Sequence, residues 1–374
     1  MRPPLILISA GEPSGEMHAA RLAAALRART KAHIFGLGGP RMREAGVELL
    51  ADSSKVAVVG ISEVIRRLPA VWQVYRQLAE EAARRKPDLA ILVDFPDFNL
   101  RLARRLHRQG VRIVYFISPQ VWAWRPKRVQ LIRRLVARVL CIFPFEEEFY
   151  RRAGVPVNFV GHPLVDAVHA TMTREQFAER FHLNPSQPIV ALLPGSRLRE
   201  IEHNLPPMLE ACHQLERERD YQVVLAAAPG ITERNLLTHA RYDVRLHIAE
   251  GATYDALAAA DCAIVSSGTA TVEAALLGAP MVVVYRVSAT TAFIARRLVR
   301  TPHFAMVNLI AGRRIVPELI QDAFTPDAVA SEAKRLLTSP EAREAMRRDL
   351  AEVKRKLGAG GAIEKAAGII AGML

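Results

Sequence analysis

The stretch "DLAILVDFPDFNLRLARRLHRQG", Asp88 to Gly110, decides how the chain is read. Leu89 to Val93 is an unbroken apolar run with no polar alternation, which predicts a strand buried on both faces. "LRLARRLHRQG" then sets apolar residues among arginines at helical spacing and closes on a glycine, as helices often do. A buried strand followed at once by a helix is the repeating unit of a parallel α/β sheet. Asp94 and Asp97 lie between the two, at the carboxyl end of the strand, where such sheets hold their ligands.

The unit recurs on both sides. "LILISA" (5–10), "AHIFGLGG" (32–39), "RIVYFIS" (112–118), "RVLCIFPF" (138–145) and "VNFVGHP" (157–163) complete one series. After the proline-bearing "LNPSQP" (183–188) a second begins with "IVALLPGSR" and runs through "YQVVLAAAPG", "VRLHIAEG", "CAIVSSG" and "PMVVVY". Most of these runs are separated by helix-length segments. The pattern predicts an α/β protein of two doubly wound, Rossmann-like parallel-sheet domains, with ligands at the carboxyl strand ends in the cleft between them.

Composition sets limits. A chain of 374 residues, 50% hydrophobic, can bury two cores. Its mean hydropathy is +0.09, and no apolar run approaches the roughly 20 residues of a membrane-spanning helix. The opening "MRPPLILISAGEPSGE" is not read as a signal peptide. Its apolar core, Leu5 to Ala10, is shorter than the roughly 7–15 residues of such a segment and runs into a Gly/Pro loop. Cys141, Cys212 and Cys262 stand far apart in apolar surroundings and read as core thiols of a reducing cytosol. Charge is less neutral. Residues 1–150 hold 25 Lys and Arg against 14 Asp and Glu, most of the chain's net +13. Such an excess implies a polyanionic partner: nucleic acid, an anionic membrane face or a phosphate-rich substrate.

The loops of the second series suggest a nucleotide. In "LLPGSR" (192–197), Gly195, Ser196 and Arg197 offer backbone N–H groups and a guanidinium at a helix start, a seat for a diphosphate. In "SSGTATVEAALLGAP" (266–280), Ser267, Gly268, Thr269, Ala270 and Thr271 are small enough for close approach. Glu273, one turn in, either accepts the hydroxyls of a ribose or caps the helix beside Thr269 or Thr271. Spacing alone leaves both open.

These features together resemble the two-domain glycosyltransferase architecture called GT-B. More narrowly, the chain resembles the lipid-A-disaccharide synthase family. The resemblance rests on "AGEPSGE" (10–16), "GGPRM" (38–42), "VGISEV" (59–64), "DFPDFN" (94–99), "SPQVWAW" (118–124), "FPFE" (143–146), "GHPLVD" (161–166), "LLPGSR", "SSGTATVEAALLGAPMVVVYR" (266–286) and "NLIAGR" (308–313), which follow one another in family order. One departure is Glu16, where the family usually carries Asp. The resemblance implies an inverting, metal-independent transfer of 2,3-diacylglucosamine from UDP-2,3-diacylglucosamine to 2,3-diacylglucosamine 1-phosphate, with no cofactor. It implies an N-terminal acceptor domain (1–165, joined by a C-terminal helix at about 350–374) and a C-terminal UDP-sugar domain (166–349). It leaves a homodimer open.

Residue by residue, the family's base matches Asp94, and Arg197 would stabilise the departing diphosphate. Asp-Phe-Pro-Asp is not the Asp-x-Asp spacing of a metal-diphosphate site, so no metal is expected there. Pro96 fixes its own φ and turns Phe95 away from helical conformation, so Asp97 is expected to cap the following helix. Glu12, Ser14, Gly15 and Asn308 are expected at the acceptor, although Ser14 also reads as a plain N-cap and Asn308 as a buried brace. Trp122 and Trp124 read as core or interface aromatics, and His162 as a brace of the hinge. Across residues 56–82, Val64, Ile65, Leu68, Val71, Trp72 and Tyr75 form an apolar stripe flanked by arginines. Such a stripe marks a core helix or one lying in a membrane interface, and the resemblance implies a protein peripheral on the inner face of the cytoplasmic membrane. Two alternatives from other classes are a UDP-sugar 2-epimerase of the same fold and a basic nucleic-acid-binding protein. No RRM, KH or zinc-finger signature favours the latter.

Overall fold

The computed structural model describes residues 2–55, 61–124, 128–217, 220–228, 230–232, 236, 244–288 and 301–374, with backbone alone at 55, 61–67, 123 and 124. It divides into two compact units, Met1–Pro163 with Leu357–Leu374, and Leu164–Lys356.

In the first unit the strands are β1 (Leu5–Ala10), β2 (His33–Gly38), β3 (Glu48–Asp52), β4 (Leu89–Val93), β5 (Arg112–Phe116), β6 (Arg138–Cys141) and β7 (Val157–Phe159). They pair in the order β3-β2-β1-β4-β5-β6-β7, every pair parallel. The order reverses between β1 and β4, so the crevice beyond Ala10 and Val93 is this sheet's switch point. The helices are α1 (Pro13–Thr30), α2 (Pro40–Glu44), α3 (Ile61–Arg85), α4 (Pro96–Arg108), α5 (Val121–Trp124), α6 (Arg128–Leu135) and α7 (Pro144–Arg152). Leu7, Phe35 and Leu92 of the sheet pack against Leu78 of α3 and Leu102 and Leu106 of α4 in a closed apolar core.

The second unit carries β8 (Ile189–Leu193), β9 (Gln222–Ala227), β10 (Leu246–Glu250), β11 (Cys262–Ser266), β12 (Met281–Tyr285) and β13 (Glu318–Ile320). Their order is β10-β9-β8-β11-β12-β13, again parallel throughout. Its switch point lies between β8 and β11. The helices are α8 (Leu164–Ala167), α9 (Arg174–Arg180), α10 (Leu198–Glu216), α11 (Thr253–Ala259), α12 (Thr269–Leu276), α13 (Met306–Ala311), α14 (Pro326–Thr338) and α15 (Pro340–Lys356). The last helix, α16 (Ala362–Ala371), belongs to the first unit and packs on α1.

The two doubly wound parallel sheets read from the apolar runs are present, and three details differ. The edge strands β3 and β13 were not expected, because short edges such as "ELLAD" carry no unbroken apolar run. "RVLCIFPF" is a strand only to Cys141, since Pro144 begins α7 at its first position. The return to the first unit comes at Leu357 rather than at about 350, because α15 continues unbroken to Lys356. There the Leu357 carbonyl accepts from His162 N at 2.9 Å. The three cysteines are buried and unpaired, as expected of core thiols.

Candidate active site

Asp94 follows the last residue of β4, at the switch point of the first sheet. It and Phe95 take left-handed backbone conformations, φ 45° and 49°, which cost non-glycine residues about 1–2 kcal/mol each. The surroundings hold them there. The Asp94 carbonyl accepts from Tyr115 Oη at 2.7 Å and from Asn99 Nδ2 at 2.8 Å, and its N–H donates to Ile117 O at 3.2 Å. Asn99 lies on the buried face of α4 and also binds the ends of both central strands, accepting from Ser9 Oγ at 2.7 Å and donating to Val93 O at 3.1 Å. Phe95 fills the space over Gly11, where a Cβ would come within 2.3 Å of its ring. Gly15 of α1 packs close to Asp94, and Glu12 precedes that helix with no capping bond from its side chain. Burial, then the nearby negative charge of Glu12, pushes Asp94 up to about 7, while the Phe95 N–H pulls the other way. A carboxyl that titrates near neutrality at a switch point is suited to take a proton from a hydroxyl.

Asp97 does not cap α4. With Pro96 at the first helical position the N-cap falls on Phe95, and the exposed Asp97 carboxylate instead pairs with Arg128 at 2.5 Å. Glu16 is also structural. It is buried and its Oε1 accepts from Met42 N at 3.0 Å, serving the first turn of α2 from a neighbouring helix. Ser14 stands exposed in the first turn of α1, where Glu12 holds the cap position.

In the second unit Gly195, at φ 131°, turns the chain from β8 into α10. Ser196 N donates to Glu200 Oε2 at 3.0 Å, and Arg197 pairs with Glu200 Oε1 at 3.3 Å. The donors expected to seat an anion are thus both turned onto one carboxylate of the same helix. Asn204, buried one turn further on, donates to Pro194 O at 3.0 Å and Ser266 Oγ at 3.1 Å, and accepts from Arg286 N at 2.9 Å. It ties together the ends of β8, β11 and β12. Gly268, at a φ of 152° that favours glycine, holds the N-cap position of α12 without a side-chain cap, and Thr269 and Ala270 open the helix. Thr271 Oγ1 donates back to Gly268 O at 2.8 Å, and Ser267 Oγ to Phe304 O at 3.3 Å. Glu273 is half-buried and accepts from Tyr254 Oη at 3.2 Å. Among the described residues no capping bond to it is seen, and burial raises its carboxyl above the usual range.

Asn308 is corrected from the acceptor to a brace. Its amide donates to Val316 O at 3.0 Å and Glu318 Oε1 at 2.6 Å, and accepts from Ile315 N at 2.7 Å and Val316 N at 3.0 Å. It is fully buried, with its hydrogen-bonding capacity spent within the second unit. The α3 stripe divides. Val71 and Tyr75 are half-buried against the core with Val74 and Leu78, whereas Leu68 and Trp72 are 49% and 54% exposed. The side chains of Val64 and Ile65 lie outside the described residues.

Sequence reasoning assigned no role to Asn99, Tyr115 or Asn204. The available signal was an asparagine at a core-facing position of an amphipathic helix, beside Leu102 and Leu106 in one case and Ile201 and Leu205 in the other. It also left Glu146 without a role. Glu146 is buried and accepts from Trp122 Nε1 at 3.2 Å and Phe143 N at 3.3 Å, linking "SPQVWAW" to "FPFE". Burial pushes its carboxyl up to about 7, against the pull of Trp122.

Two doubly wound parallel sheets in one chain, each with loops and helix starts gathered at its switch point, define the GT-B class of glycosyltransferase folds. The glycotransferase of kitacinnamycin superposes with TM-score 0.65 at 18% identity, each chain covered in full (100% and 100%). A UDP-GlcNAc 2-epimerase from Neisseria meningitidis bound to UDP-GlcNAc superposes with TM-score 0.63 at 12% identity, covering 98% of this chain and 97% of that one. At such identities these likenesses show the fold alone. Sequence decides the family. The family model described as lipid-A-disaccharide synthetase matches residues 6–370, and the lipid-A-disaccharide synthase of Myxococcus xanthus (strain DK1622) is 48% identical over 370 residues, 98% of this chain and 96% of the relative. The chain belongs to the lipid-A-disaccharide synthetase family.

Proposed function

We propose that the protein transfers the sugar of UDP-2,3-diacylglucosamine to the 6-hydroxyl of 2,3-diacylglucosamine 1-phosphate, giving the β(1→6) disaccharide 1-phosphate of lipid A and UDP. Asp94, held near neutral pKa at the first switch point, carries the proposal together with the family match over nearly the whole chain. The acceptor O6–H gives its proton to the Asp94 carboxylate as the oxygen attacks the anomeric carbon. The bond from that carbon to the diphosphate breaks, and its electron pair leaves with UDP. One displacement inverts the centre, with no covalent enzyme intermediate. The first unit is the acceptor domain, where Glu12, Ser14 and Gly15 at the start of α1 meet the sugar phosphate. The second is the nucleotide domain. Gly195, Ser196 and Arg197 receive the diphosphate, Arg197 offsets the charge growing on UDP, and the loop Ser267–Thr271 with Glu273 takes the nucleoside.

The protein works at the inner face of the cytoplasmic membrane, where its acylated substrates reside. Two observations support this: Leu68 and Trp72 are exposed on α3, and residues 1–150 carry the basic excess. Among the described residues no helix is long and apolar enough to cross a membrane, so attachment is peripheral, by arginines and the outward edge of α3.

Thin-layer chromatography of purified protein with both diacylglucosamine substrates tests the reaction. A disaccharide that appears only when both are present supports it. Conversion of UDP-N-acetylglucosamine alone, with no disaccharide formed, would assign the fold to a 2-epimerase instead.

A further inference from the structure

Beside the exposed edge of α3 lies a groove of about 350 Å³, lined by Trp72, Tyr75, Arg101, Arg104, Arg105 and Arg108. The four arginines fall at i, i+3, i+4 and i+7 of α4, so they share one face, and all four are exposed. Opposite them on the helix, Leu102, Ala103 and Leu106 are buried, which fixes the arginine face outward. Among the described residues no carboxylate forms an ion pair with any of the four. The sequence explains this, since Phe98 to Phe145 holds eleven Lys and Arg and no Asp or Glu. Several arginines elsewhere on the same unit are paired, among them Arg76 with Glu80, Arg84 with Glu81 and Arg85 with Glu48, although Arg133 and Arg134 of α6, like the four, form no ion pair among the described residues. One wall is therefore unneutralised guanidinium. The other is aromatic, with Trp72 stacked on Tyr75 at 5.1 Å between ring centroids. Arg104 stands roughly 12 Å along the α4 axis from Pro96, which separates the groove from Asp94.

We propose that this groove binds the headgroup of an anionic phospholipid. Its phosphodiester would lie among the four arginines, and the glycerol and first methylenes against Trp72 and Tyr75. The occupant follows from charge and chemistry together. Four guanidiniums without counter-charge call for phosphate, and an indole beside them, next to the exposed Leu68, calls for an apolar continuation that inorganic phosphate lacks. A diffuse basic surface would need neither the concavity nor the aromatic wall. The proposal rests on the membrane reading above and adds a specific site to it.

The test uses the full chain and two probes. The first is vesicles of phosphatidylcholine with and without phosphatidylglycerol. The second is dihexanoyl-phosphatidylglycerol kept below its micelle threshold, followed by tryptophan fluorescence, with Trp72→Phe assigning the signal. The Arg101→Gln/Arg105→Gln pair should weaken binding to anionic vesicles by roughly tenfold to thirtyfold and abolish the saturable response to the short-chain lipid. An Arg133→Gln/Arg134→Gln pair on α6, removing equal charge outside the groove, should leave that response intact and cost less on vesicles. Equal losses from the two pairs would reduce the groove to diffuse electrostatics and overturn the site while leaving membrane attachment standing. The same saturable response to inorganic phosphate would overturn the lipid as occupant. If the wild-type protein bound no vesicle, the membrane reading would fail by itself, and the short-chain titration would still decide the groove.

Discussion

Replacing Asp94 with asparagine should make the protein more stable and nearly inactive at once. The carboxyl is moved from its ordinary 3.8 to about 7 by burial first and by Glu12 second. A displacement of about three units at roughly 1.4 kcal/mol each withholds up to about 4 kcal/mol from the folded state once Asp94 ionises. Relaxation of the site makes that an upper bound. The sign follows from proton binding. Between the unfolded and folded values the folded state holds more protons, so stability falls as pH rises from about 4 to about 7 and is level above. Asparagine cannot ionise and escapes that loss. Denaturant unfolding at about pH 5 and about pH 8 should therefore show the variant gaining on the wild type, and gaining more at the higher pH. Turnover should fall by about 10²–10⁴-fold, the usual share of a general base, with UDP affinity unchanged. In the wild type kcat/KM should climb with pH until about 7. Near-normal turnover would remove Asp94 as the base. A stability difference that ignores pH would mean the carboxyl is not held neutral in the fold.

Arg197→Ala should depress kcat far more than it raises KM, because its charge acts as the diphosphate departs, and activity should survive EDTA; a loss in EDTA that magnesium restores would replace the guanidinium with a metal. Glu273→Gln should chiefly weaken UDP binding, read by calorimetry, and an unchanged dissociation constant would return Glu273 to a purely structural pairing with Tyr254. Glu200→Gln should tighten UDP binding severalfold by removing the carboxylate that now occupies Ser196 N and Arg197, and weaker binding would show that Glu200 instead orders the loop. Asn204→Ala should cost about 1–3 kcal/mol in unfolding experiments for each buried partner left unmatched, and a change below that range would mean water replaces the amide.

What could be read in advance follows from how local each signal is. Leu89–Val93 and Met281–Val284 are apolar without interruption because both faces of their strands are covered, so their buried parallel sheets were legible. β3 and β13 lie at edges, where burial on one side leaves only a few ambiguous residues. Asp94 could be matched to the family's base, but its left-handed backbone depends on Tyr115 and Asn99, contacts no local pattern announces. The cap expected at Asp97 falls two residues earlier, on Phe95, because Pro96 is itself the first helical residue. The α3 stripe was legible as a stripe. Only the packing of Val74 and Leu78 into the core separates its inner edge from Leu68 and Trp72.

The docking of α16 on α1 has a consequence for synthesis. The first unit is interrupted in sequence by the whole of the second, and its own last helix is made only after that second unit. Domains generally fold in order as they leave the ribosome, at about 5–20 residues per second. Here the second unit, Leu164–Lys356, can close while α1 still waits for α16. The nascent first sheet therefore spends on the order of ten seconds or more with an uncovered helix face, and with Arg29 lacking Glu364, its partner at 2.6 Å in the finished protein. Removal of residues 357–374 should strand the chain in that half-closed state, prone to chaperone capture, with the later unit already folded.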